Sequence, residues 1–277
     1  MQLSLLAESA IHAGLLKHID TGAANVTQQS RFTNKRAMVT GATRGLGRTI
    51  AEWLARDGAE VFISGRNQED IDKSIDELKQ FGTRITGAPA DLEKLEDMHE
   101  LAETALEIAG PFDILINNAG FSNPTPFLET SDADWDAEMA VNVRAPYVIT
   151  QHIAKSMIEN SINGRIVNIG TIGVFAPHHK QIIYDIAKAG VHMMTKNMAF
   201  ELAKHNITAN CVAPGAVPDR PGFDMDTWNP KTFNIPIQRS GNAEDIANAV
   251  CFFCQDESSW VSGQTLLVDG AHLTYLP

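Results

Sequence analysis

The chain has 277 residues, of which 44% are hydrophobic, and its formal net charge is −12. That is enough apolar material for one large α/β domain, and the acidic balance, with no basic run, excludes a nucleic-acid backbone as partner. Three cysteines (Cys211, Cys251 and Cys254) give no disulfide framework. No apolar run reaches membrane-spanning length, and the N-terminus lacks a basic segment ahead of an unbroken apolar one, so no signal peptide is expected. The features together predict a reduced, cytoplasmic protein without a membrane partner.

Residues 1–34 stand apart from the rest of the chain. Leu5, Leu6, Ala10, Ile11, Leu15, Leu16 and Ile19 recur at helical spacing and predict a short amphipathic helix in an N-terminal extension. With Glu8 and Asp20 against Lys17, this helix is a poor match to anionic lipid, so packing on the domain or on a neighbouring subunit is expected. From residue 35 to 277 strand and helix patterns alternate. Apolar strand patterns cover 37–40, 60–64, 84–90, 112–116, 165–169, 207–212 and 265–268. Helical patterns cover 48–56, 68–81, 92–109, about 132–162, a long run from 184 onward, and 243–254. The alternation predicts an α/β fold: one Rossmann-like, doubly wound parallel sheet covered by helices on both faces, in a single domain. Cys251-Phe-Phe-Cys254 falls in an apolar helical run without a second pair or a nearby histidine, so two core thiols and no metal site are expected.

Three stretches carry chemistry. Gly41-Ala-Thr-Arg-Gly45-Leu-Gly47 joins the first strand to the first helix. Glycines let the backbone approach a pyrophosphate, and the helix N-terminus behind them offers free N–H groups and a positive dipole end. The second strand ends on Ser64-Gly65-Arg66, with no carboxylate to accept from a ribose 2′-hydroxyl. Arg66, with Arg44 inside the glycine turn, suits a 2′-phosphate instead, so NADP(H) is preferred over NAD(H). In the third stretch, the strand at 165–169 breaks at Gly170-Thr171, and a loop leads to Tyr184 and Lys188. Residues four apart share a helix face, so the ammonium lies near the phenol and favours its ionised form. The Thr171 hydroxyl is available to hold a substrate oxygen.

Thr40-Gly41-x-x-x-Gly45-x-Gly47, Asn117-Asn118-Ala119-Gly120, Asn142, Thr171, Tyr184-x-x-x-Lys188 and Pro214-Gly215 occur in one order at compatible spacings. Together they resemble the short-chain dehydrogenase/reductase family in its single-domain form, over about residues 36–270. The resemblance implies a catalytic tyrosine at Tyr184, which gives a proton to a carbonyl oxygen or takes it back. Lys188 then lowers the tyrosine pKa and binds the nicotinamide ribose, and Asn142 holds a water of the proton relay. It further implies cofactor contacts from Gly41, Thr43, Arg44, Gly45, Leu46 and Gly47 in the turn and from Arg66 after the second strand. Asp91 and Leu92 would lie near the adenine ring, and Asn118, Ala119 and Gly120 would support the cofactor and the sheet. Pro214, Gly215 and Val217 would lie near the carboxamide. Two positions depart from the family pattern. Thr171 stands where serine is usual; it keeps the hydroxyl, while its methyl group restricts χ1 and crowds the pocket. Asp219 stands where the family often has a threonine that contacts nicotinamide.

The resemblance implies reversible hydride transfer between a nicotinamide cofactor and a small-molecule ketone or secondary alcohol, in a homotetramer or homodimer. Substrate walls are expected from 123–127, 171–181 and 218–239. His178, His179 and Lys180 suit an anionic or polyhydroxylated substrate or form a solvated loop, while Phe175, Phe223, Trp228 and Phe233 line an apolar pocket or anchor the loop. An NAD(H)-using sugar or polyol dehydrogenase is an alternative, as is a cofactor-binding partner or sensor without turnover. An acyl group on an acidic carrier protein suits a chain of net charge −12 less well.

Overall fold

A computed structural model describes residues 30–218 and 234–274 of the chain. The amphipathic helix expected within residues 1–34, together with Asp219, Phe223, Trp228 and Phe233, lies outside the described residues. The elements run β1 (Arg36–Val39), α1 (Gly45–Arg56), β2 (Glu60–Gly65), α2 (Gln68–Leu78), β3 (Ile85–Pro89), α3 (Leu95–Ala109) and β4 (Ile114–Asn117). They continue α4 (Asp132–Met139), α5 (Ala145–Glu159), β5 (Arg165–Ile169), α6 (Ile182–Leu202), β6 (Thr208–Pro214), α7 (Ala243–Cys254) and β7 (Thr265–Val268). The seven strands form one sheet in the order β3-β2-β1-β4-β5-β6-β7, and every pair is parallel.

Successive strand side chains point to opposite faces, and here each face meets its own core. Ala37, Val39, Val61, Ile63, Ile114, Ile116 and Val167 feed a cluster with Ile50, Leu54, Ile71, Leu78, Ile246 and Val250 from α1, α2 and α7. Met38, Phe62, Leu115 and Ile166, which alternate with them, feed a second cluster with Met98, Leu101, Ile149, Ile153 and Ala199 from α3, α5 and α6. That is why these strands read as nearly continuous apolar runs. Each buried Ile or Leu side chain contributes roughly 1.5–3 kcal/mol. Cys251 and Cys254 are buried in α7, and burial pushes the Cys251 thiol up to about 12. No helix among the described residues is long and apolar enough to cross a membrane.

Two features place the site. The chain leaves β1 toward β2 on one side and reaches β4 on the other, so the order reverses between β1 and β4, the point at whose carboxyl ends doubly wound sheets form their ligand crevice. The stretch read as one helix over 132–162 is in fact two, joined by a π-helical turn at Ala140–Arg144. The buried Asn142 occupies that turn. Its side chain donates to the Phe121 carbonyl at 2.8 Å and accepts from the Phe121 N–H at 3.3 Å. Widening the helix by one residue thus aims this amide at the segment leaving β4, an effect that apolar periodicity does not report.

Candidate active site

The glycine turn is built by exclusion. Gly41 has φ +63°, and a Cβ there would lie 2.9 Å from the Ala119 Cα. A Cβ on Gly47 would lie 2.3 Å from both the Asn118 amide nitrogen and the Gly41 carbonyl oxygen. The turn is therefore seated directly on the Asn118–Gly120 segment. Thr40 locks the two together: its hydroxyl accepts from the N–H groups of Asn118 and Ala119 at 3.1 and 3.0 Å. The Asn118 side chain donates back to the carbonyls of Thr40 and Gly41 at 2.9 and 3.0 Å. Thr43 meets Gly65 at the end of β2, where a Cβ would lie 2.6 Å from its methyl group.

These residues fit a dinucleotide. Helices α2, α4 and α7 begin with side-chain caps from Asn67, Ser131 and Asn242. Helix α1, like α3, α5 and α6, has none, its first turn holds no acidic residue, and its N–H groups and dipole face the glycine turn. Arg44 and Arg66 are exposed and make no ion pair among the described residues. Asp91 and Leu92 follow β3, where the Asp91 carboxylate accepts from the Glu93 N–H at 3.3 Å and pairs with Lys94 at 3.2 Å. Across the crevice, Pro214 ends β6, and the Gly215 N–H donates to Val268 at 2.9 Å. Val217 packs partly buried against the first core, and Leu46 does the same from the turn.

The other wall comes from β5 and α6. Lys188 is buried, and its Nζ donates to the Ile169 carbonyl at 2.8 Å where β5 ends. Burial lowers its pKa from 10.5 to about 8. The Nζ lies 5.7 Å from the centroid of the Tyr184 ring, one turn earlier on the same face. A Cβ on Gly120 would touch the Asn142 Oδ1 at 2.6 Å and the Lys188 Nζ at 3.3 Å. Asn142, Gly120 and Lys188 thus meet at one point, beside Tyr184. The Thr171 hydroxyl accepts from the Gly173 N–H at 3.2 Å and starts the loop toward α6. Helix α6 is held in place by a buried ladder: Asn117 donates to Thr150 at 2.9 Å and to Asn168 at 2.8 Å, and Asn168 donates to Thr195 at 2.8 Å. Such a ladder fixes one register for the face carrying Tyr184 and Lys188.

Some features were not legible in the sequence. Asp185, next to Tyr184, captures His178 twice. The carboxylate faces the ring Nδ1 at 2.7 Å and accepts the His178 backbone N–H at 2.8 Å. His179 and Lys180, grouped with His178 in the sequence, are exposed beyond it. Glu138 is buried one turn before Asn142, accepts the Asn123 N–H at 3.0 Å, and has its pKa raised by burial. His192 is buried beneath Gly170, its ring edge-on to Phe175, and burial lowers it to about 4. An acid directly after the tyrosine was the one available signal, and it reads equally well as an ordinary first-turn helix acid.

Sheet order, glycine turn and the clustered Asn142, Lys188 and Tyr184 define a class, and the chain belongs to the short-chain dehydrogenase/reductase family of NAD(P)-dependent oxidoreductases acting on CH–OH groups. A family profile described as Enoyl-(Acyl carrier protein) reductase matches residues 41–271. Dehydrogenase/reductase SDR family member 4 of Bos taurus is 33% identical over 270 residues, covering 94% of this chain and 95% of that one. The 3-oxoacyl-[acyl-carrier-protein] reductase FabG of Aquifex aeolicus is 33% identical over 243 residues, covering 87% and 98%. Among solved structures, acetoin dehydrogenase YohF from Salmonella typhimurium superposes with a TM-score of 0.81 at 31% identity, covering 88% of this chain and 97% of that one.

Proposed function

We propose that this chain interconverts a secondary alcohol and a ketone, using NADP(H) in preference to NAD(H), with Tyr184 as general acid and base. The observation that carries the proposal is the meeting of Tyr184, Lys188, Asn142 and Gly120 beside a glycine turn whose helix lacks a side-chain cap. When bound, the nicotinamide cofactor supplies or accepts the hydride. Tyr184 gives its proton to the carbonyl oxygen during reduction and takes it back during oxidation. Lys188 holds a positive charge near the phenol and orients the ribose, and the Thr171 hydroxyl holds the substrate oxygen. Asn142 fixes the backbone at Phe121 and serves the relay through which protons reach Lys188. Gly41, Thr43, Gly45, Leu46 and Gly47 would hold the pyrophosphate, Asp91 and Leu92 the adenine, and Pro214, Gly215 and Val217 the carboxamide.

The preference for NADP(H) rests on Arg44 and Arg66, both exposed, and on the absence of a carboxylate at the end of β2. An assembly of two or four copies is part of the same proposal: Ile186, Met193 and Phe200 are 44%, 57% and 86% exposed along α6, a face that association would cover. The test is cofactor oxidation with a panel of ketones, α-diketones and keto-sugars, comparing kcat/KM for NADPH and NADH. Turnover with NADPH favoured by tenfold or more is expected. A clear preference for NADH would move the chain to the sugar or polyol dehydrogenase alternative, and cofactor binding without turnover of any member would favour a partner or sensor role.

A further inference from the structure

Resting on that oxidoreductase assignment, we propose that His178, oriented by Asp185, is a specificity-determining residue that accepts a hydrogen bond from a hydroxyl next to the reacting carbon, so that the favoured reactants are an α-hydroxyketone and the corresponding vicinal diol. The first observation is position. The His178 ring lies 6.3 Å, centroid to centroid, from the Tyr184 ring, a separation that one small molecule can bridge. The second is fixation. One carboxylate holds both the ring Nδ1 and the backbone N–H of His178. A Cβ on Gly173 would lie 2.2 Å from the Asp185 Oδ1 and 2.3 Å from the His178 ring, so only glycine leaves room for the pair. The loop is tied down beyond it, where the Thr125 N–H donates to the Lys180 carbonyl at 2.8 Å.

The third observation is the direction of the hydrogen bond. An ionised carboxylate only accepts, so the proton between Asp185 and His178 sits on Nδ1. In the neutral ring the remaining nitrogen, Nε2, then carries a lone pair. Asp185 is the buried end of the pair at 12% exposure, and His178 the open end at 34%. A lone pair presented in this way takes a hydroxyl and gives nothing to a second carbonyl or to a carboxylate. Protonation leaves the pair formally neutral, which does not draw an anion either. The reaction balances as α-hydroxyketone plus reduced cofactor plus a proton giving vicinal diol plus oxidised cofactor. The carbonyl carbon gains a hydride, its oxygen gains the proton from Tyr184, and the neighbouring hydroxyl is unchanged.

The test measures kcat/KM for a 2-ketone, the matching 3-hydroxy-2-ketone and the matching 2,3-diketone of equal chain length, together with binding of the diol and of the mono-alcohol by titration calorimetry. The parent should favour the hydroxyketone by about tenfold over both others, the worth of one net hydrogen bond. In His178→Phe that preference should fall to within about threefold, mainly through KM and diol affinity. His178→Gln, whose side-chain oxygen can accept a hydrogen bond, should restore part of it, and Asp185→Asn should lose part of it. His178→Ala gives the same comparison should the phenylalanine variant not fold. A parent that reduces the 2-ketone without favouring the hydroxyketone overturns this inference and leaves the oxidoreductase assignment standing. Equal losses on all three substrates in the His178 variants also overturn it, because a structural role would cause that. A parent that reduces none of them, with Tyr184→Phe indistinguishable from it, overturns both.

Discussion

The two walls of the crevice are built by different means. On the β1–β4 side the fit depends on side chains that are absent and on hydrogen bonds to backbone groups of the turn and its neighbour: Gly41 and Gly47 lie against Asn118 and Ala119, Thr40 accepts two N–H groups of that segment, and Asn118 donates to the carbonyls of Thr40 and Gly41. On the β5–α6 side the work falls to side chains, with Lys188 on the Ile169 carbonyl, Asn142 on Phe121, and Asp185 on His178. A wall closed by glycines tolerates no added atom. A side-chain-built wall can be altered residue by residue, and each alteration should change charge, proton supply or selectivity.

Lys188 gives the largest expected effect on the side-chain wall. Its pKa in the fold is about 8, below the ordinary 10.5. Between those values the unfolded chain binds more protons than the folded one, so the stability tied to this group rises with pH through the window and is lowest beneath it. Lys188→Met should therefore be more stable than the parent below pH 8, by up to about 3 kcal/mol. The gap should close by about pH 10.5, the ordinary value, and denaturant unfolding across the range reads it. A constant difference at all pH values would mean that the ammonium is not desolvated.

On the glycine-closed wall, Gly47→Ala adds a methyl group 2.3 Å from the Asn118 amide nitrogen and the Gly41 oxygen. Relief requires the turn to move, and NADPH affinity should fall about 30-fold, the equivalent of roughly 2 kcal/mol of overpacking. Unchanged affinity by fluorescence titration would remove the distinction between the walls. Arg66→Ala should do less. Arg66 is exposed, so its pairing with a phosphate is partly screened, and the ratio of kcat/KM for NADPH over NADH should drop about tenfold. An unaltered ratio would leave Arg44 as the phosphate partner.

The same division decides what the sequence revealed. The glycine turn, Asn118 and Gly120 were legible because close backbone approach restricts residue identity; β1 and β4 were legible because burial on both faces demands apolar runs, and β5 by its alternation and β-branched residues. Tyr184 and Lys188 followed from helical spacing, and the structure keeps them one turn apart on one face. The π-helical turn at Asn142 was not legible, since one extra residue per turn barely disturbs an apolar pattern. Nor was the His178–Asp185 pair: it closes a loop of irregular backbone, and nothing periodic connects its partners. His192 under Gly170, and Glu138 on the Asn123 N–H, depend likewise on tertiary packing that only the assembled walls specify.

The central claim is that the Tyr184 phenol moves the proton while the rest of the crevice holds the reactants. It is tested most directly by single-turnover reduction of the best ketone by Tyr184→Phe at saturating NADPH, with NADPH affinity and unfolding measured alongside. The expected result is a rate lower by about 10²–10⁴, with cofactor affinity and stability close to the parent's. A rate near that of the parent, in a variant that is folded and cofactor-loaded, would contradict it.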